Sequence, residues 1–147
     1  MRRLVKFWSL PKGERRLLRE AGILLLLSNA CIKVVAFRHI DQFLRARWND
    51  RFESNLDHEE EIKLVQRSVS RAANILPWRS LCLSRSIAEF IMLRRRGIPA
   101  VIVAGARFSG PSSLEAHAWV NTSLNDNGSE SSGFATVIRI GAEAADR

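Results

Sequence analysis

Cys82 and His117 are the two residues of this chain that could do the most chemistry together. A thiol attacks a carbonyl carbon only as the thiolate. An imidazole, which titrates near neutrality, can take the thiol proton and later return it to a leaving group. Cys82 stands in "PWRSLCLSRSIAEFIMLRRRGIPA". With Ser80 as N-cap, it falls in the first turn of a helix, where free backbone N–H groups and the helix dipole favour the thiolate. His117 stands in "LEAHAWVN", an alternating stretch that reads as a strand with His117 and Trp119 on one face. A Cys–His pair needs a third group to orient the ring. Asp126 in "LNDNGSES" can supply it if the next strand lies alongside the strand of His117, although Asn-Asp-Asn-Gly is equally an ordinary turn. Taken alone, Cys82 reads more simply as a small buried hydrophobe, and Trp119 as a packing residue.

These side chains need elements to hold them. "NLDHEEEIKLVQRSVSRAANILP" carries Asp57 and Glu60 as a capping box, three glutamates in its first turn, and Ile62, Val65, Val69, Ala72 and Leu76 on one stripe, with Pro77 as the stop. In the next helix Leu83, Ile87, Phe90 and Ile91 mark one face. Gly97 caps it, Pro99 forbids continuation, and Arg94, Arg95 and Arg96 complement the dipole. Residues 100–108, 116–121 and 133–141 read as strands, with "SGPSS" as a loop between the first two. Helices followed by antiparallel strands give an α+β fold, with the cysteine-bearing helix packed on a small sheet.

The remaining third is different in character. The chain has 147 residues and a formal net charge of +8. Residues 1–51 hold 12 basic and 4 acidic side chains, whereas residues 52–147 hold 11 of each. The chain therefore divides at 51/52 into a basic helical region and a balanced core, and the basic part calls for an acidic partner. Its apolar run from Ala21 to Ile32 is too short to span a bilayer, which takes ~20 residues. Glu14 and Glu20 ahead of the run argue against a signal peptide. In the second helix Val35, Ile40, Phe43 and Leu44 should form the buried face, with Arg38, Arg45 and Arg47 outside. Cys31 should be a buried hydrophobe and His39 a surface residue. Two cysteines in unlike contexts make no disulfide framework, so the reading is reduced and cytoplasmic. There is no CxxC, HExxH or Cys/His cluster to hold zinc. No recognition helix or aromatic-interleaved basic strand supports nucleic-acid binding, and membrane association is not expected.

Three blocks in combination, "CLSRSIAEFIMLRRRGIPA", "AHAWVN" and "LND", resemble the proteases of lasso-peptide biosynthesis, a transglutaminase-like group within the papain-like superfamily. The basic helices led by "SLPKGERRLL" resemble the helical leader of these proteins. The resemblance implies a transglutaminase-like core with Cys82 as nucleophile, His117 as base and Asp126 as orienting carboxylate. The implied reaction is hydrolysis of one peptide bond, removing the leader from a ribosomally made precursor. It also implies no cofactor of the protein's own, and ATP use only through a partner. Those partners are the precursor peptide, a PqqD-like leader-recognition protein and an asparagine-synthetase-like cyclase. The chain looks like the split form, which lacks the leader-binding domain. The stretch from "HAWV" to "LND" is shorter than the family's, so Asn121 or Asn125 stands as an alternative to Asp126. Asn121 also replaces the acidic residue usual after "HAWV". A different thiol-dependent amidase or acyltransferase, and a basic non-enzymatic adaptor, are the competing readings.

Overall fold

The computed structural model describes residues 11–48, 58–76, 82–110, 113–122 and 133–140. Four helices come first: α1 (Lys12–Val34), α2 (Phe37–Arg47), α3 (Glu59–Ile75) and α4 (Cys82–Arg94). Three strands follow: β1 (Ala100–Gly110), β2 (Ser113–Thr122) and β3 (Ala135–Ile140). The strands form one antiparallel sheet in the order β2-β1-β3. This is the α+β arrangement expected from the sequence.

One stripe of α1, made of Leu18, Ala21, Leu25 and Ser28 at spacings of a helical turn, is buried against α3 and α4. The stripe of α3 answers it, with Ile62, Val65, Val69 and Ala72 all buried. Helix α3 opens with three glutamates in its first turn, but His58 is its N-cap and makes no side-chain cap hydrogen bond. Asp57, the expected cap, lies outside the described residues.

Helix α4 fills the centre of the molecule. The expectation of one apolar face is too narrow. Ile87, Ala88, Phe90, Met92 and Leu93 are buried almost all round, because α1, α3 and the sheet enclose the helix. Burying a side chain such as Phe90 contributes on the order of 2–3 kcal/mol. Trp48, just past α2, meets the Phe90 ring edge-on with centroids 5.9 Å apart. The helix closes as expected. Gly97 has φ +77°, Ile98 N–H reaches back to the Leu93 carbonyl at 3.1 Å, and Gly97 N–H reaches the Arg94 carbonyl at 3.1 Å. The three arginines do more than complement the dipole. Arg94 donates to the Trp48 carbonyl, and its guanidinium lies over the Phe90 ring. Arg95 and Arg96 both reach Glu20 of α1, at 3.2 and 2.7 Å.

Several expectations for the basic third change. Helix α2 begins at Phe37, which leaves Val35, expected on its buried face, outside it. It buries Leu44, leaves Ile40 half-buried, and leaves Phe43 63% exposed. Only one edge of this short helix reaches the core, through Leu44 with Ile40 packed against it. Cys31 is exposed, because the buried stripe of α1 passes through Leu25 and Ser28 and turns away from it. His39 is exposed as expected. Among the described residues no helix is long and apolar enough to cross a membrane, and no cluster of His, Cys, Asp or Glu could hold a metal.

The sheet also refines the reading. Strands β1 and β2 pair continuously from Ala100↔Thr122 to Phe108↔Leu114, and Ser109, Gly110 and Ser113 of the segment read as a loop belong to the strands. Strand β3 does not lie beside β2. It pairs with the other edge of β1, from Ile102↔Ile140 to Ala106↔Ala135, with a register shift between Ala104 and Gly105.

Candidate active site

Cys82 is the first residue of α4 and is half-buried. The first N–H groups of a helix have no partner within it, and their dipoles stabilise an oxyanion that develops there. Small polar residues follow: Ser84 and Ser86 are buried, and Ser86 Oγ donates to the Cys82 carbonyl at 3.0 Å. Ser80, expected as the cap, lies outside the described residues.

His117 lies in β2 and is half-buried. Strand alternation places it with Trp119 and Asn121 on one face, while Ala118 and Val120 share the other. Val120 joins Ile102 and Ile140 in the core shared with the helices. The His117 face has its own aromatic packing. The imidazole stacks on Trp119 at 6.1 Å and 22°, and meets Phe134 at 5.6 Å. Trp119 and Phe134 are themselves 6.3 Å apart. The Arg107 guanidinium sits 4.5 Å above the Phe134 ring and is anchored to Glu115 at 2.8 Å.

Gly105 makes this cluster possible. It is the register partner of His117. A Cβ at this position would fall 2.9 Å from Trp119 Cη2, 3.0 Å from the Ala135 carbonyl oxygen and 3.1 Å from Phe134 Cβ. The bare backbone lets both rings lie across β1. The sequence reading missed Gly105, Phe134 and Arg107. An isolated glycine inside a strand pattern signals such a close approach and was the available clue. Trp119 is 3% exposed, and its indole N–H has no hydrogen-bond partner among the described residues.

Helix α4 packs against both β2 and β1, so the elements that carry Cys82 and His117 are in contact, but strand alternation turns His117 to the face of β2 opposite Val120, the residue that joins the helical core. Among the described residues no hydrogen bond joins the thiol to the imidazole. Asp126 and Asn125 lie outside the described residues. Asn121 is described, half-buried on the His117 face of β2. Because β3 follows β1, no strand lies alongside the outer edge of β2 among the described residues. The next described strand, β3, thus lies beside β1 and not beside β2.

A thiol at the start of a buried helix, ahead of a short antiparallel sheet with a histidine on its second strand, describes a thiol-enzyme fold. The family model for the transglutaminase-like superfamily matches residues 24–139, from the middle of α1 to the end of β3. The chain belongs to that superfamily, whose fold serves thiol-dependent hydrolysis and acyl transfer. The match crosses the charge boundary at residue 51, taking in half of α1 and all of α2. Comparisons with curated proteins and with solved structures give no match.

Proposed function

We propose that the protein is a cysteine peptidase that removes the leader from a ribosomally made lasso-peptide precursor. The observation that carries the thiol-enzyme part is the position of Cys82. It opens a buried helix that packs on the strand bearing His117, inside a transglutaminase-like match. The leader-peptidase part rests on the combined "CLSRSIAEFIMLRRRGIPA", "AHAWVN" and "LND" blocks.

In this reading the Cys82 thiolate attacks the scissile carbonyl carbon, and the N–H groups at the start of α4 receive the oxyanion. The His117 imidazolium gives its proton to the leaving amine, which departs as the N-terminus of the core peptide. A water molecule, losing a proton to His117, then hydrolyses the thioester and frees the leader. Asp126, or Asn121 or Asn125 in its place, orients the imidazole. The protein needs no cofactor for these steps. It acts in the cytoplasm beside a PqqD-like leader-recognition protein and an asparagine-synthetase-like cyclase that uses ATP. The superfamily also supports a second reading, in which an amine rather than water takes the acyl group.

Mass spectrometry of a precursor peptide incubated with the protein and its carrier tests the proposal. Separate leader and core masses are expected, and Cys82→Ala should abolish both. A product joined to an added amine indicates acyl transfer instead. An intact precursor under all conditions, with the carrier shown to bind it, rejects the peptidase reading.

A further inference from the structure

Helix α1 has two working faces, and only one is used inside the fold. Opposite the buried stripe lies a second line of exposed residues: Lys12, Arg16, Arg19, Ile23, Leu26, Ala30 and Val34. Their spacings of 4, 3, 4, 3, 4 and 4 make a continuous seam of the kind two helices share. Leu27 flanks it and is also exposed. The seam is divided along its length. Its first half is cationic and its second half is aliphatic, with Ile23 58% and Val34 85% exposed.

Among the described residues, the charges on this seam find no ion-pair partner. Both glutamates of α1 are engaged inward, Glu14 by Arg71 at 2.9 Å and Glu20 by Arg95 and Arg96. Lys12, Arg16 and Arg19 form no ion pair among the described residues. The acidic side chains of α1 therefore tie the helix down, and its outward cations remain available.

We infer that this seam docks a helix of a partner polypeptide that carries carboxylates along one half of its contact line and aliphatic residues along the other. Charge complementarity selects that occupant. A second copy of the chain fits poorly along the full seam. Parallel alignment sets arginine on arginine, and antiparallel alignment sets arginine on leucine, burying unpaired charge either way. A membrane surface fits poorly too. A helix lying in a bilayer interface segregates its charges across its axis, whereas here they segregate along it. The inference concerns binding alone and holds whether or not Cys82 is a nucleophile.

The test uses the full chain as a Cys82→Ala variant and a synthetic helical peptide as long as α1. The peptide bears glutamates at one half of a 4-3 seam and leucines at the other. A control peptide of the same composition intersperses them. The segregated peptide should bind at least about tenfold more tightly than the control. Arg16→Glu with Arg19→Glu should remove most of that preference at low ionic strength. The effect should shrink in about 1 M salt, where the Debye length is about 3 Å. Ile23→Gln with Leu27→Gln should weaken binding at both ionic strengths. Circular dichroism checks that each variant keeps its helices. Equal affinity for the two peptides overturns the inference. So does preferential binding to vesicles of phosphatidylglycerol and phosphatidylcholine, or sedimentation as a dimer that Ile23→Gln with Leu27→Gln disperses.

Discussion

Helices α1 and α4 are both rich in aliphatic residues, yet the fold uses them in opposite ways. Helix α4 is enclosed by α1, α3 and the sheet, and each of the three arginines at its end is held: one by a backbone carbonyl and a ring, two by Glu20. Helix α1 buries one stripe, spends both glutamates on inward ion pairs, and presents cations and aliphatics to solvent. Hydrophobicity alone does not separate the two helices. Where their charges find partners does, and that distinguishes a scaffold helix from one with a face to spare.

The largest expected contrast between them is in stability. Phe90→Ala removes a fully buried ring at the centre of α4 and should cost about 3–5 kcal/mol. Leu27→Ala on the outer side of α1 should stay within about 0.5 kcal/mol. Urea unfolding of both variants measures the difference. Comparable losses would mean that the outer face of α1 is covered and that the contrast fails.

The sheet provides a test of intermediate size. Gly105→Ala puts a methyl group against Trp119 and Phe134 and should cost about 1–3 kcal/mol, the usual range for overpacking. Tryptophan fluorescence should shift with it, because the Trp119 ring must move. Unchanged stability and emission would show that the rings do not lie across β1.

The smallest effect concerns the tie between the two helices. Glu20→Gln removes the shared carboxylate of Arg95 and Arg96, both partly solvated, and should cost about 1 kcal/mol or less. The loss should diminish as salt screens the wild-type pairs. A loss that is large and independent of salt would assign Glu20 a packing role rather than an electrostatic one.

Much of this architecture was legible in the sequence, for identifiable reasons. The stripe of α3, the Gly97 cap of α4 and the strand at His117 are local patterns, and each survives folding. What failed depended on tertiary context. Cys31 sits in an aliphatic run but faces outward, since the run supplies two faces and the core takes one. Phe43 belongs to an apolar face of which α2 buries only Leu44. Strand order lies outside local pattern altogether. The segment after β2 is compatible with a neighbour on either edge, and β3 takes the far edge of β1. Of the candidate site, Cys82 at a helix start and His117 on a strand could be read directly. The aromatic setting of His117 could not, because it depends on Gly105 opposite and on Phe134 arriving just ahead of β3.

The central claim is that the Cys82 thiol and the His117 imidazole act as one chemical unit. Its direct measure is the alkylation rate of Cys82 by iodoacetamide as a function of pH, in a Cys31→Ser background that removes the exposed second thiol, with and without His117→Ala. At about pH 6 an unassisted thiol, with a pKa of about 8.5, is almost wholly protonated and slow to react. The account predicts brisk reaction there in the His117 protein and a drop of at least about tenfold on His117→Ala. Superimposable pH profiles for the two proteins would contradict it.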